Sequence, residues 1–61
     1  MTVRNILNAC YNVNIETQIF IEDREGRTWE GNELTVPEYI LEMNVNSFYI
    51  IDSENQMLIN V

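Results

Sequence analysis

The chain has no histidine and no lysine among its 61 residues, and its one cysteine is Cys10. A single cysteine excludes an internal disulfide, and a cysteine without histidine does not form a zinc site. Acid–base catalysis would fall to carboxylates, tyrosine or Cys10. No carboxylate pair lies beside apolar residues in a pattern that predicts a raised pKa. We therefore expect a protein that is not an enzyme and that holds no metal.

Glycine and proline are also scarce, with two glycines and one proline. The sequence contains no phosphate-binding loop, and Gly26 and Gly31 are interpreted as turn glycines. The carboxylates Asp23 and Glu25 beside Gly26 do not match a calcium loop. These observations predict that the protein uses no cofactor.

Positively charged residues are scarce too. The chain has ten carboxylates but only three basic residues, Arg4, Arg24 and Arg27, so the net charge is −7. Direct binding to nucleic acid needs a positive face that displaces counterions, so it is not expected. An acidic protein can instead dock on a basic surface of another protein. The alternative is that the acidity only keeps a small protein in solution.

Long apolar runs are missing as well, so no segment predicts a membrane span. The opening residues 1–4 are not followed by the apolar core of a signal peptide. A free thiol without a secretion signal predicts a cytoplasmic protein.

The first half predicts a helix and a hairpin. Val3, Ile6, Leu7 and Cys10 form an apolar stripe at helical spacing, which indicates a helix over residues 3–10. Thr2 can cap this helix, and Tyr11 with Asn12 is expected to end it. Residues 13–22 alternate apolar and polar, which is typical of a half-buried strand.

The first hairpin turn is assigned to residues 24–26, with Gly26 at the left-handed third position. This loop places Ile21 opposite Trp29 on the buried face and Phe20 opposite Glu30 on the other face. Phe20 is therefore an aromatic residue on the face that should meet water.

The second half predicts another helix over residues 35–43, with Pro37 in its first turn, and strands over residues 45–52 and 57–61. A tight turn over residues 53–55 would place Asn55 in the left-handed conformation. Tyr49 would then lie opposite Ile59 on the buried face. We expect one α+β domain over residues 1–61, in the order α-β-β-α-β-β, with a four-stranded mostly antiparallel sheet and two short helices on one face.

This register predicts an apolar patch on the outer face of the sheet, formed by Phe20, Phe48, Ile50 and Leu58. The rim of this patch would consist of four carboxylates, namely Glu16, Glu22, Glu30 and Asp52. The carboxylates expected to steer a basic partner towards it are Glu16, Glu22, Glu25, Glu30 and Glu33. An apolar centre with a charged rim is the composition of a protein–protein interface. The alternatives are a wrong parity in one hairpin or a helix that covers this face.

The chain is also expected to form a homodimer, because a domain of 61 residues buries only roughly 60% of its unfolded surface. The outer patch could close on itself around a twofold axis. The competing geometry is pairing through the last strand, residues 57–61, at a sheet edge.

The layout resembles that of small acidic proteins encoded by phages and prophages of Gram-positive bacteria. The similarity lies in the opening Thr2-Val3-Arg4-Asn5-Ile6-Leu7, the charged hairpin Asp23-Arg24-Glu25-Gly26, the helix after Val36-Pro37 and the last hairpin up to Val61. Some such proteins inhibit host defence, including anti-CRISPR proteins. The resemblance implies an inhibitor that occludes a surface of a protein partner. The alternatives are a sponge for a small signalling molecule and a non-catalytic structural or regulatory subunit.

Overall fold

Four strands form one mixed sheet, and two short helices cover one of its faces. The computed structural model describes residues 1–10 and 12–61. Within them the elements are α1 (Val3–Ala9), β1 (Gln18–Glu22), β2 (Thr28–Gly31), α2 (Glu38–Leu41), β3 (Ser47–Ile51) and β4 (Gln56–Asn60). The strand order is β2-β1-β4-β3, with β1 parallel to β4 and the other pairs antiparallel. The predicted α+β class and element order are confirmed.

The core lies between the helices and the two central strands. Ile19 and Ile21 of β1 and Met57 and Ile59 of β4 are buried, since their side chains alternate onto the covered face. The helices and loops add further buried residues, which are Val3, Ile6, Val13, Val36 and Ile40. Because β4 is central, the competing dimer geometry, pairing through residues 57–61 at a sheet edge, is wrong, and the edge strands are β2 and β3.

Helix α1 begins as predicted, because Thr2 and Asn5 cap each other. The Thr2 hydroxyl accepts from the Asn5 N–H at 3.2 Å, and the Asn5 side chain accepts from the Thr2 N–H at 3.0 Å. The helix ends at Ala9, and half-buried Cys10 packs against the core. The expected helix break at Tyr11 lies outside the described residues.

Two turns of the same design shorten the predicted first strand and second helix. In residues 14–17 the Asn14 N–H donates to the Thr17 hydroxyl at 3.0 Å, and the Glu16 N–H donates to the Asn14 side chain at 2.8 Å. Residues 32–35 repeat this pattern, because the Asn32 N–H donates to the Thr35 hydroxyl at 3.1 Å and the Leu34 N–H donates to the Asn32 side chain at 2.9 Å. Strand β1 therefore begins at Gln18 rather than at residue 13, and α2 begins at Glu38, after Pro37.

The first hairpin has the predicted register, with Phe20 opposite Glu30 and Ile21 opposite Trp29. Gly26 has φ of 82°, the left-handed conformation that the three-residue loop requires. Asp23 organises this loop by accepting from the N–H groups of Glu25 and Arg27, both at 2.9 Å.

The fold also changes the pKa of the Asp23 carboxylate in this hairpin. Burial by itself would raise the pKa of Asp23. The donated hydrogen bonds of the Arg27 and Glu25 backbones, helped by the Arg27 guanidinium, outweigh burial and lower that pKa below its ordinary value.

The second hairpin corrects the predicted register by one residue. A 3₁₀ turn over Asp52–Glu54 and left-handed Asn55, with φ of 52°, make a four-residue loop. Ile50 therefore lies opposite Met57, and Phe48 lies opposite Ile59. The conformation predicted for Asn55 is confirmed, but the assignment of Tyr49 to the buried face is wrong, because one extra loop residue exchanges the two faces.

Candidate protein-binding face

The outer face is the side of the sheet opposite the helices, and an apolar row crosses it. Phe20 of β1 pairs with Leu58 of the parallel strand β4, and Leu58 pairs with Tyr49 of β3. Paired residues point to the same face, so these three side chains are neighbours. We call them the apolar row. Phe20 and Leu58 are half-buried, and Tyr49 at the sheet edge is 55% exposed.

Polar side chains lie on both sides of the apolar row and at one end of it. Glu30 is opposite Phe20, and its carboxylate accepts from the Gln18 side chain at 3.2 Å. A second row of the outer face consists of Thr28, Glu22, Asn60 and Ser47, read across the four strands. The amide of Asn60 donates to the Ser47 hydroxyl at 3.2 Å, which orients the polar part of this surface.

The outer face is concave rather than flat. A shallow concavity of about 740 Å³ lies over it, with a lining that includes Phe20, Glu22, Glu30, Tyr49, Leu58 and Asn60. In the described part of the chain, no helix packs over these residues, since α1 and α2 contribute to the core on the opposite side. This surface can receive a convex apolar group and place the carboxylates of Glu22 and Glu30 beside it.

Two members of the predicted patch are not on this face. Phe48 and Ile50 point to the helix side of β3, because their partners are the buried residues Ile59 and Met57. Phe48 is nevertheless 41% exposed, since β3 is the edge strand and the helices do not cover it fully. The predicted patch of four residues is therefore reduced to Phe20 and Leu58, and Tyr49 joins them.

The predicted carboxylates are likewise divided by the fold. Glu22 and Glu30 lie on the outer face beside the apolar row. Glu16 and Glu33 lie in the two Asn–Thr turns, and Glu25 lies in the first hairpin loop, where its carboxylate is 3.1 Å from the Arg27 guanidinium. The structure thus places a smaller negative charge at the outer face than the sequence predicted.

The ion pairs of Arg4 and Arg27 lie away from the outer face. Arg4 of α1 forms ion pairs with Glu38 and Glu42 of α2, and Arg27 forms ion pairs with Asp23 and Glu25. The hydrogen bond that Arg4 donates to Glu42, together with the charge of Glu38, raises the pKa of Arg4 above its ordinary value. Among the described residues, no ion pair includes Glu22 or Glu30, so the outer face keeps its negative charge.

Tyr49 is the site residue that the sequence reasoning missed. The signal that would have found it is the length of the second loop. A loop of residues 52–55, rather than 53–55, places Tyr49 opposite Leu58.

Comparison with known proteins identifies no relative of this chain. No model of a known family, no curated protein and no solved structure matches the chain. None of the helices in residues 1–10 and 12–61 has the length and apolar character needed to cross a membrane.

Proposed function

We propose that this chain is a non-catalytic inhibitor that binds a basic surface of a partner protein through the outer face of its sheet. The observation that carries the proposal is the apolar row of Phe20, Leu58 and Tyr49, which lies uncovered in a concave surface and is flanked by Glu22 and Glu30. Burial of one such side chain stabilises a complex by ~1.5–3 kcal/mol before the costs of association.

Charge supports the choice of a basic partner. The net charge is −7, and the ion pairs of Arg4 and Arg27 lie in the helix layer and at the tip of the first hairpin. The carboxylates of the outer face therefore attract a partner of positive surface charge and accelerate its encounter. We extend the proposal to inhibition of host defence by a phage-encoded protein in the host cytoplasm, on the strength of the layout described above.

The ligand-sponge alternative has less support from the charges. A phosphate-bearing signalling molecule would need arginines, and two of the three arginines are engaged with carboxylates. The concave outer face instead presents Glu22 and Glu30, which repel phosphate.

The test begins with affinity capture from a Gram-positive bacterial lysate and identification of the captured protein by mass spectrometry. Binding of the purified partner is then measured with the double variant Phe20→Gln, Leu58→Gln. We expect this variant to dissociate at least about ten-fold faster, since loss of ~1.4 kcal/mol corresponds to that factor. The matched control is Tyr39→Gln, which removes a 73% exposed aromatic ring from α2 on the other side of the molecule.

Ionic strength provides the second arm of this test. The Debye length falls from ~30 Å at ~0.01 M salt to ~10 Å at ~0.1 M, so the association rate should fall steeply over that range. Glu30→Gln should weaken this dependence, and Glu54→Gln, a change in the exposed second hairpin loop, should weaken it less. An association rate that is flat with salt, or a Tyr39→Gln variant that loses as much affinity as the double variant, would contradict the proposal.

A further inference from the structure

The side chain of Phe20 has a carboxylate on two of its sides. The Asp23 N–H donates to the Arg27 carbonyl, so residues 23 and 27 form a hydrogen-bonded pair of the first hairpin. Pairs alternate along an antiparallel ladder, and Phe20 with Glu30 is therefore a non-hydrogen-bonded pair, in which side chains approach most closely. Glu22 lies on the same face two residues farther along β1, which is ~6–7 Å at the backbone.

The Glu30 carboxylate is held in place and keeps one oxygen available. The side-chain amide of Gln18 donates to its Oε2 atom at 3.2 Å. Gln18 precedes Phe20 by two residues on the same face of β1, so this bond holds the Glu30 carboxylate close to the aromatic ring. Neither Oε1 of Glu30 nor the Glu22 carboxylate accepts a hydrogen bond from the residues that the structure describes.

The arginines of the chain lie away from these two carboxylates. Arg4 pairs with carboxylates of α2, and Arg27 pairs with carboxylates of its own hairpin. Arg24 lines a different hollow beside that hairpin, together with Met43 and Val61. Since the sequence has neither lysine nor histidine, a cation that balances the outer face has to come from another molecule.

The donor set favours an organic cation over a metal ion. Calcium takes roughly six to eight oxygen ligands, and the outer face offers two separate carboxylates. In the described ranges 1–10 and 12–61, no group of three or more acidic, cysteine or histidine side chains is arranged to hold a metal. An aromatic ring between two carboxylates instead suits a cation that is flat and partly apolar.

We propose that the outer face binds an arginine side chain of the partner protein, with the guanidinium against the Phe20 ring and its N–H groups donated to Glu22 and Glu30. This inference rests on the proposed function and specifies the chemistry of the partner. A guanidinium carries its five N–H donors in one plane, so it can stack on a ring while its edges bond to carboxylates. The ring attracts a cation that lies within ~6 Å of its centre.

Lysine matches the same groups less well than arginine. Its ammonium is a compact and strongly hydrated charge, which cannot stack on Phe20 and reach carboxylates in two directions at once. The apolar stem of an arginine also has a place to pack, because Leu58 and Tyr49 continue the apolar row from Phe20. The concavity of about 740 Å³ has room for such a side chain.

Nuclear magnetic resonance with small probes tests this site without the partner. N-acetyl-arginine-N-methylamide is titrated into the isotope-labelled protein, and the lysine and citrulline analogues are titrated in parallel. Citrulline has almost the shape of arginine but no charge. We expect saturable amide shifts that are largest at residues 20, 22 and 30. Affinity should be at least about ten-fold lower for the citrulline probe and about three-fold lower for the lysine probe.

Matched variants assign the binding to the three groups. Glu22→Gln, Glu30→Gln and Phe20→Leu should each weaken the arginine probe at least about three-fold, since each removes one charge or the ring. Glu54→Gln removes a charge from the second hairpin loop, and Tyr39→Leu removes an exposed ring from α2. Both controls should bind the probe as the wild type does. The amide spectrum of each variant shows whether it is folded.

The outcomes separate this inference from the proposed function. Equal affinity for the arginine and citrulline probes, or shifts spread over the carboxylates of the loops, would overturn the arginine site. Equal affinity for the arginine and lysine probes would overturn the choice of a guanidinium. If the double variant Phe20→Gln, Leu58→Gln loses the partner while the probe shows no localised binding, this inference fails and the proposed function stands. Localised probe binding with a partner that is insensitive to the double variant would contradict the proposed function.

Discussion

The two hairpins use the same left-handed turn conformation but loops of different length. Gly26 has φ of 82° in a loop of three residues, and Asn55 has φ of 52° in a loop of four. In both, the left-handed residue was recognisable, because glycine and asparagine adopt that conformation at low cost. The register was predicted only for the first hairpin, since a single added loop residue turns every side chain of a strand to the other face.

The difference decides which residues are available for binding. With the predicted three-residue loop, Phe48 and Ile50 would have joined Phe20 on the outer face. With the observed loop, they face the helices, and Tyr49 takes the place beside Leu58. The candidate site thus loses Phe48 and Ile50 and gains Tyr49, although the boundaries of β3 differ from the predicted ones by no more than a few residues.

The largest expected effect distinguishes the two registers of the second hairpin. Ile50→Asp should lower the free energy of unfolding by ~2 kcal/mol or more, because Ile50 lies opposite the buried residue Met57 and an unpaired carboxylate would be placed against the core. Ile51→Asp is the matched control, with its side chain on the outer face. Urea unfolding measures both, and a larger loss for Ile51→Asp would restore the predicted register.

Asn55→Ala should have the next largest effect, a loss of ~2 kcal/mol. The alanine must adopt a left-handed conformation, and the Thr17 hydroxyl loses the partner to which it donates at 2.8 Å. Asn55→Gly restores the backbone freedom but not the hydrogen bond, so its loss should be about half as large. Equal denaturation midpoints for the two variants would show that backbone conformation contributes little at this loop.

Gly26→Ala should lower the free energy of unfolding by ~1 kcal/mol, which is less than the loss expected for Asn55→Ala in the other loop. A Cβ atom at Gly26 would meet no atom within 4 Å, so the cost comes from the backbone conformation alone. Thermal or urea unfolding of both alanine variants sharpens the comparison of the hairpins. A loss at Gly26 that exceeds the loss at Asn55 would mean that the first loop controls stability.

The smallest expected effect depends on pH and belongs to the first hairpin. The folded-state pKa of Asp23 is below its ordinary value of 3.8, so ionised Asp23 stabilises the fold above that pH. This contribution is lost as the pH falls through the folded-state pKa. Asp23→Asn keeps an acceptor for the two backbone N–H groups but removes the charge.

Melting temperatures at two pH values measure this effect. The wild type should be more stable than Asp23→Asn at about pH 6, and the difference should be smaller at about pH 2, because the charge of Asp23 is lost as the pH falls through its lowered folded-state pKa. A difference that is the same at both pH values would assign the stabilisation to hydrogen bonds rather than to charge.

Local signals in the sequence determined much of the fold. The reciprocal cap of Thr2 begins α1 where it was predicted, and Gly26 places the first turn. The order of helices and hairpins, and with it the α+β class, follows from apolar periodicity, because each period belongs to one kind of element. Phe20 and Leu58, with Glu22 and Glu30, were placed on the outer face correctly by the same reasoning.

The tertiary structure decided what depends on contacts distant in the sequence. Alternation predicted a strand from residue 13, but the Thr17 hydroxyl binds Asn55, 38 residues away, and residues 14–17 form a turn instead. The central position of β4 follows from its parallel pairing with β1 and leaves β3 as an edge. The alternation of side chains along β3 is the same in both registers, so the sequence pattern of this strand does not say which face is buried. Packing against the buried residues Met57 and Ile59 decided that Tyr49, and not Phe48, lies on the outer face.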